Sequence, residues 1–162
     1  MTRAFMVPLC IILSQISYGQ LKSTPVCPPF AVDILDGSVN KMYPESPLGD
    51  VMLKMPCYTQ SVEEPSANGC AGVFFQDKGI MFYTYRDYIE INEHYKGAMS
   101  LPLMGAERSS LFKWFGLPLA KDFSWEAYQI RHGMLVVYFD GAGKINKLLL
   151  SSKSPATLKI CE

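Results

Sequence analysis

The sequence predicts an α+β fold, two helix-plus-antiparallel-meander repeats packed together and held by disulfides. Three observations predict it. Two short segments carry apolar residues at helical spacing and each runs into a proline. Each is followed by alternating, turn-punctuated apolar runs of strand length. Four cysteines remain once an N-terminal leader is set aside, an even number that suits two bridges. The chain has 15 Lys+Arg against 15 Asp+Glu, with 49% hydrophobic and 19% charged residues, a globular balance. Zero net charge supplies no basic stripe for a phosphate backbone, so no nucleic-acid partner is expected.

Residues 1–19 read as a secretory signal: Arg3, an apolar stretch from Ala4 to Ile16, then Ser17-Tyr18-Gly19 before Gln20. The stretch is shorter than the ~20 residues of a membrane-spanning helix, and position 20 is Gln where a lipoprotein would carry its lipid-bearing Cys. No membrane anchor is expected. The predicted organisation is a signal at 1–19, a first repeat with a Pro-rich lead-in at 20–100, and a second repeat with a C-terminal tail at 101–162.

The leader takes Cys10 with it and leaves Cys27, Cys57, Cys70 and Cys161 for an oxidising compartment. Three pairings are possible. Spacing favours Cys57 with Cys70, closing an exposed-looking loop over residues 61–69, and therefore Cys27 with Cys161. Zinc is not expected, because no two of these cysteines are nearer than 13 positions.

In chain order, Pro25, Pro28 and Pro29 keep the lead-in extended. Ala31 to Leu35 is a short strand ended by Asp36-Gly37. Ser46 is the expected N-cap and Pro47 the first position of a helix reaching Pro56, with Leu48, Val51, Met52 and Met55 as its apolar stripe. Ala71 to Phe75 and Ile80 to Tyr85 form a hairpin across Gln76-Asp77-Lys78-Gly79. Asp87 to His94 continues as a strand with Ile89 and Ile91 on one face and Tyr88 and Glu90 on the other.

The order then recurs. Glu107 to Phe115 is helical, with Leu111, Phe112 and Phe115 on one stripe, and Gly116-Leu117-Pro118 ends it. Trp125 to His132, Gly133 to Asp140 and Ile145 to Ser151 are three strands. Gly79 to Tyr83 aligns over Gly133 to Val137 at an offset of 54, and Leu53 to Pro56 over Phe115 to Pro118 at an offset of 62. The second sheet is apolar on both faces: Leu135, Val137, Phe139, Leu148 and Leu150 on one, Met134, Val136, Tyr138, Ile145 and Leu149 on the other. One helix covers one face, so the other needs the first repeat or a partner protein to cover it.

The run from Leu111 to Pro118, a strand containing Tyr128, and the run Leu135-Val136-Val137-Tyr138-Phe139-Asp140-Gly141-Ala142-Gly143-Lys144-Ile145 together resemble the BamE/SmpA-like domain of small outer-membrane-assembly lipoproteins. That resemblance covers about residues 107–151, with a fainter echo at 46–94. It implies a helix followed by a meander, and an envelope role. The tandem, disulfide-bonded form resembles the β-lactamase-inhibitory proteins, whose sheets form a concave surface that grips an enzyme.

Catalytic motifs are missing. His94 and His132 are the only histidines, and no nucleophile elbow, zinc-protease motif or phosphate loop occurs. Glu90, Glu93 and His94 cluster at a strand end and are read as a solvated terminus rather than an acid–base pair; Glu63-Glu64 is read as a solubilising loop pair. No enzyme activity, metal or cofactor is expected. Aromatics remain. Tyr83, Tyr85, Tyr88, Tyr95, Trp125 and Tyr128 are the candidate binding residues, since Tyr and Trp carry interface energy. Strict alternation puts Trp125 and Tyr128 on opposite faces. The expected function is a secreted or periplasmic protein-binding module of the cell envelope; an enzyme inhibitor or immunity protein comes next, and a small envelope hydrolase last.

Overall fold

The computed structural model describes residues 26–161. The leader read at 1–19 lies outside the described residues, as do residues 20–25 of the lead-in. The described chain is mostly antiparallel sheet with two short helices and two disulfides. Among the described residues, no helix is long and apolar enough to cross a membrane.

Strands β1 (Ala31–Asp33), β2 (Ser38–Val39) and β7 (Ala98–Met99) form a small sheet in the order β2-β1-β7. Everything else of β type belongs to one eight-stranded sheet: β3 (Gln60–Val62), β4 (Gly72–Phe75), β5 (Ile80–Tyr83), β6 (Tyr88–Asn92), β8 (Ala120–Lys121), β9 (Trp125–Ile130), β10 (Gly133–Phe139) and β11 (Ile145–Ser151). Its order is β3-β4-β5-β6-β11-β10-β9-β8, two four-stranded meanders joined through β6 and β11. The join crosses the boundary read at 100/101.

Helix α1 (Leu48–Lys54) precedes the first meander and α2 (Leu111–Phe115) the second. Val51 and Met55 are fully buried, with Leu48 and Met52 packed beside them, as the stripe requires. Its start differs by one residue. Pro47 is the N-cap, and the Ser46 hydroxyl accepts instead from the Tyr43 amide at 2.9 Å. In α2, Leu111 is buried and Trp114 and Phe115 pack against the core, but Phe112 points outward and is 66% exposed. A five-residue helix makes little more than one turn, so only i, i+3 and i+4 share its buried side.

Both helices and the small sheet cover one face of the large sheet, here the inner face. Val73, Phe75, Phe82, Ile89, Ile91, Tyr128, Leu135, Val137, Leu148 and Leu150 meet Val32, Ile34, Val39, Val51, Met55 and Leu111 in one cluster. Ile145 belongs to this face, not to the opposite one. A β-bulge shifts the register so that Tyr138 faces Lys147 while Phe139 faces Ile145, and Asn146 is skipped. Two glycines are needed for close approach. Gly79 is left-handed (φ 69°) in the β4–β5 turn, and a Cβ on Gly133 (φ 107°) would stand 2.1 Å from the Ser151 carbonyl oxygen.

The disulfides join Cys27 to Cys57 and Cys70 to Cys161, which corrects the pairing drawn from spacing. Residues 60–62 are not loop but edge strand, paired Gln60 with Phe74 and Val62 with Gly72. That register leaves Cys57 and Cys70 at opposite ends of the hairpin, roughly 20 Å apart at strand rise, beyond any bridge. The Pro-rich lead-in reaches Cys57 instead, and the C-terminal tail reaches Cys70.

Candidate functional site

Among the described residues, no helix lies over the outer face of the large sheet. Cross-strand register lays its side chains out in rows: Gln60, Phe74, Met81, Glu90, Leu149, Val136, Ala127 and Ala120 in one; Tyr83, Tyr88, Ser151, Met134 and Gln129 in a second; Asn92, Lys147, Tyr138 and Trp125 in a third. Part of this face is covered by the chain's own tail. Leu158 and Cys161 pack onto Tyr88, Ala127, Met134, Val136 and Leu149. The Cys161 amide donates to the Tyr88 hydroxyl at 2.9 Å, beside the Cys70–Cys161 bridge. The tail thus supplies cover that the sequence reading had assigned to the first repeat or a partner.

Beyond the tail the face is open. Phe74, Met81, Tyr83, Glu90, Asn92, Trp125, Tyr138 and Lys147 are all half-buried there. Tyr83 stacks on Tyr88 with ring centroids 4.5 Å apart, and Phe74 tilts against Tyr83 at 5.2 Å. Lys147 lies over the Tyr138 ring, 4.6 Å from its centroid. Its ammonium is 3.9 Å from the Glu90 carboxylate, too long for a hydrogen bond. Burial pushes the Glu90 carboxyl above the usual carboxylate range, with Lys147 only partly opposing it. Burial and then the Glu90 charge raise Tyr83 and Tyr138, so both phenols stay protonated and able to donate.

The six candidate aromatics divide. Tyr83 and Trp125 line the open part of the outer face. Tyr88 is on that face but fully buried under the tail. Tyr85 stands on the β5–β6 turn, 60% exposed and off the rows. Tyr95 is internal, its hydroxyl donating to the carbonyls of Phe30 and Ala98. Tyr128 is internal on the inner face and donates to Glu126. Trp125 and Tyr128 do lie on opposite faces. Sequence reading placed Tyr138 on this face through the alternation over 134–138 but did not name it as a binding residue, and it missed Met81 and Lys147.

Neither a family model, nor a curated protein, nor a solved structure matches this chain. The geometry therefore has to carry the reading.

Two other polar clusters have structural uses. Glu126, buried on the inner face, receives Arg108 Nε at 2.9 Å and the Tyr128 hydroxyl. The rest of the guanidinium donates to the Phe123 and Asp122 carbonyls and lies over the Phe139 ring at 4.6 Å. Asp36 accepts from the Tyr43 hydroxyl (3.0 Å) and Ser38 hydroxyl (3.1 Å), with His132 Nδ1 at 3.2 Å. The Tyr43 hydrogen bond holds Asp36 below its ordinary pKa despite the opposing effect of burial. A depression of about 820 Å³ beside Asp36 is lined by Asp33, Ser38, Asn40, Tyr43 and Ser100; Asp33, Asn40 and Ser100 accept from the backbone amides of Asp36, Ala31 and Ile34, and Ser38 and Tyr43 donate to Asp36. At the end of β6, His94 Nδ1 faces the Asn92 side-chain oxygen at 3.2 Å and Glu90 faces Lys147. Glu90 and His94 have separate partners and form no dyad.

Proposed function

We propose that this chain is an exported, non-catalytic protein-binding module of the secreted or periplasmic space, an envelope-associated factor that holds its partner on the open part of the outer sheet face. The observation that carries this reading is the set of half-buried aromatic and apolar side chains, Phe74, Met81, Tyr83, Tyr138 and Trp125, left uncovered beside the tail. Isolated exposed apolar groups are ordinary on a surface, but two aromatic clusters on one rigid sheet face, Phe74, Met81 and Tyr83 on one side of Glu90, Asn92 and Lys147 and Tyr138 with Trp125 on the other, suit an interface with a polar centre. Two disulfides support export, because such bridges persist in oxidising compartments.

A second reading within the class is an inhibitor that grips an enzyme. A helix followed by four antiparallel strands occurs twice, and the two meanders meet edge to edge to make one face. That order agrees with two helix-plus-meander repeats and with the tandem arrangement that the resemblance to β-lactamase-inhibitory proteins implies.

The test is affinity capture from an extracytoplasmic extract with the disulfide-bonded chain. Wild type and Phe112→Ser, altered on exposed α2 away from the face, are expected to retain the same partner. The face double variant Tyr83→Ser with Tyr138→Ser is expected to lose it while still unfolding cooperatively above the temperature of the capture, at a lower midpoint because the Tyr83–Tyr88 stack is gone. Equal capture by the face variant contradicts the reading.

A further inference from the structure

The two faces of the sheet each carry one buried or half-buried glutamate beside an aromatic ring and a cation, and they differ in one respect. On the inner face Glu126 is complete: the Arg108 guanidinium bonds its carboxylate at 2.9 Å and stacks over Phe139 at 4.6 Å. On the outer face Lys147 takes the same stacked position, 4.6 Å from the centre of the Tyr138 ring, but its ammonium stops 3.9 Å short of Glu90. Among the described residues none donates a hydrogen bond to the Glu90 carboxylate, although its side chain is only 14% exposed. A carboxylate with so little access to water and no hydrogen-bond donor among the described residues is costly to keep ionised in a free protein.

We infer that the partner supplies the missing donor: an arginine side chain inserted against Glu90 and stacked on the tyrosines of the open face, with Lys147 moving aside. The inference rests on the proposed use of the outer face and adds the chemistry of what that face recognises. A guanidinium fits better than an ammonium. Its planar fork can bond the carboxylate while its flat surface lies on an aromatic ring, as Arg108 does within this chain. Lys147 is 33% exposed at the side chain and held by no hydrogen bond, so it can leave without unpairing a donor in the interior. Tyr83 and Tyr138 flank the position as neutral phenols and bring further donors to it.

The test titrates the isotopically labelled, disulfide-bonded chain with acetyl-Leu-Arg-Leu-amide and with its citrulline counterpart, an uncharged near-isostere, following backbone amide shifts. The arginine peptide is expected to perturb Met81, Glu90, Tyr138 and Lys147 and to bind about tenfold tighter than the citrulline peptide, the worth of one charge-assisted hydrogen bond. Glu90→Gln is expected to abolish that preference. Lys147→Met is expected to strengthen arginine binding several-fold, since it removes the internal competitor; a purely structural Glu90–Lys147 pair gives no such gain. Equal affinity for the two peptides with shifts on the open face overturns the arginine inference and leaves the face reading standing. Shifts confined to another surface overturn both. Absence of binding by either peptide overturns the arginine inference, and the capture experiment then decides the face. Should Glu90→Gln not fold, the Lys147→Met comparison decides the matter.

Discussion

The two faces of the large sheet solve the same problem in different ways. Both are apolar along β10 and β11, and both therefore need cover. The inner face receives it from two helices and a second sheet, elements that hold themselves together by their own hydrogen bonds. Among the described residues, the outer face receives only a strap without regular structure, fixed by Cys70–Cys161, by the Tyr88–Cys161 hydrogen bond and by Leu158. Where the strap ends, aromatic side chains and a poorly partnered carboxylate begin. The difference teaches that the inner face is closed by regular elements, whereas the outer face is closed only in part, by the tail, which is the ground for the proposed partner.

The largest expected effect comes from releasing the strap. Replacing Cys70 and Cys161 together by Ser opens a link across 91 residues and should lower unfolding free energy by about 4 kcal/mol in the chain-entropy account. Urea unfolding under non-reducing conditions measures it, and increased binding of an apolar dye would report the uncovered Leu149 and Val136. A loss below about 1 kcal/mol would mean that the tail stays on the face without its bridge.

The glutamates sharpen the comparison. Arg108→Ala leaves Glu126 buried against an empty position and should cost roughly 3 kcal/mol, whereas Lys147→Ala on the outer face should cost less than about 1 kcal/mol. Equal losses would remove the distinction between a completed and an incomplete site. Tyr88→Phe removes the acceptor for the Cys161 amide and should cost about 1 kcal/mol, visible as faster amide exchange at residue 161 ahead of any global change.

The smallest effect is one of sign with pH. Glu90 holds its proton more tightly folded than unfolded, so its contribution favours the folded chain below the unfolded carboxyl range, ~4.3, and is lost as pH rises through its raised folded value. Glu90→Gln should therefore raise the thermal midpoint relative to wild type near neutral pH and show no gain near pH 4. Asp36 has the opposite sign: its lowered pKa contributes stability above the unfolded value that is lost on acidification. A higher midpoint for Asp36→Asn at neutral pH would contradict the role given to its Tyr43 hydrogen bond.

Much of this architecture was legible in the residues. Apolar runs of strand length bounded by turn residues located β4, β5, β6, β9, β10 and β11 to within a few residues, although β10 and β11 bury both faces. The β3 and β8 edges were not legible: Gln60-Ser61-Val62 and Ala120-Lys121 are too short and too polar to alternate visibly. Ile145 was placed on the wrong face because a bulge breaks strict period two. The offset of 54 sets Ile80 of the inner face over Met134 of the outer, so that letter-by-letter alignment fails in three dimensions. Of the binding candidates, Tyr88 is covered by the tail on the outer face, and Tyr95 and Tyr128 turn inward to hold the Phe30 and Ala98 carbonyls and the Arg108–Glu126 knot. The Tyr88–Cys161 and Tyr95–Phe30 contacts span 65 or more residues, a separation that no local pattern encodes.

The central claim is that the outer face beside the tail is where a partner sits. A photoreactive benzophenone side chain in place of Tyr138, compared with the same group in place of Phe112, tests it most directly in cells that produce the chain. The account predicts one discrete cross-linked protein from position 138, weakened by excess unlabelled chain, and no specific product from position 112. Specific cross-linking at 112 with none at 138 would contradict it.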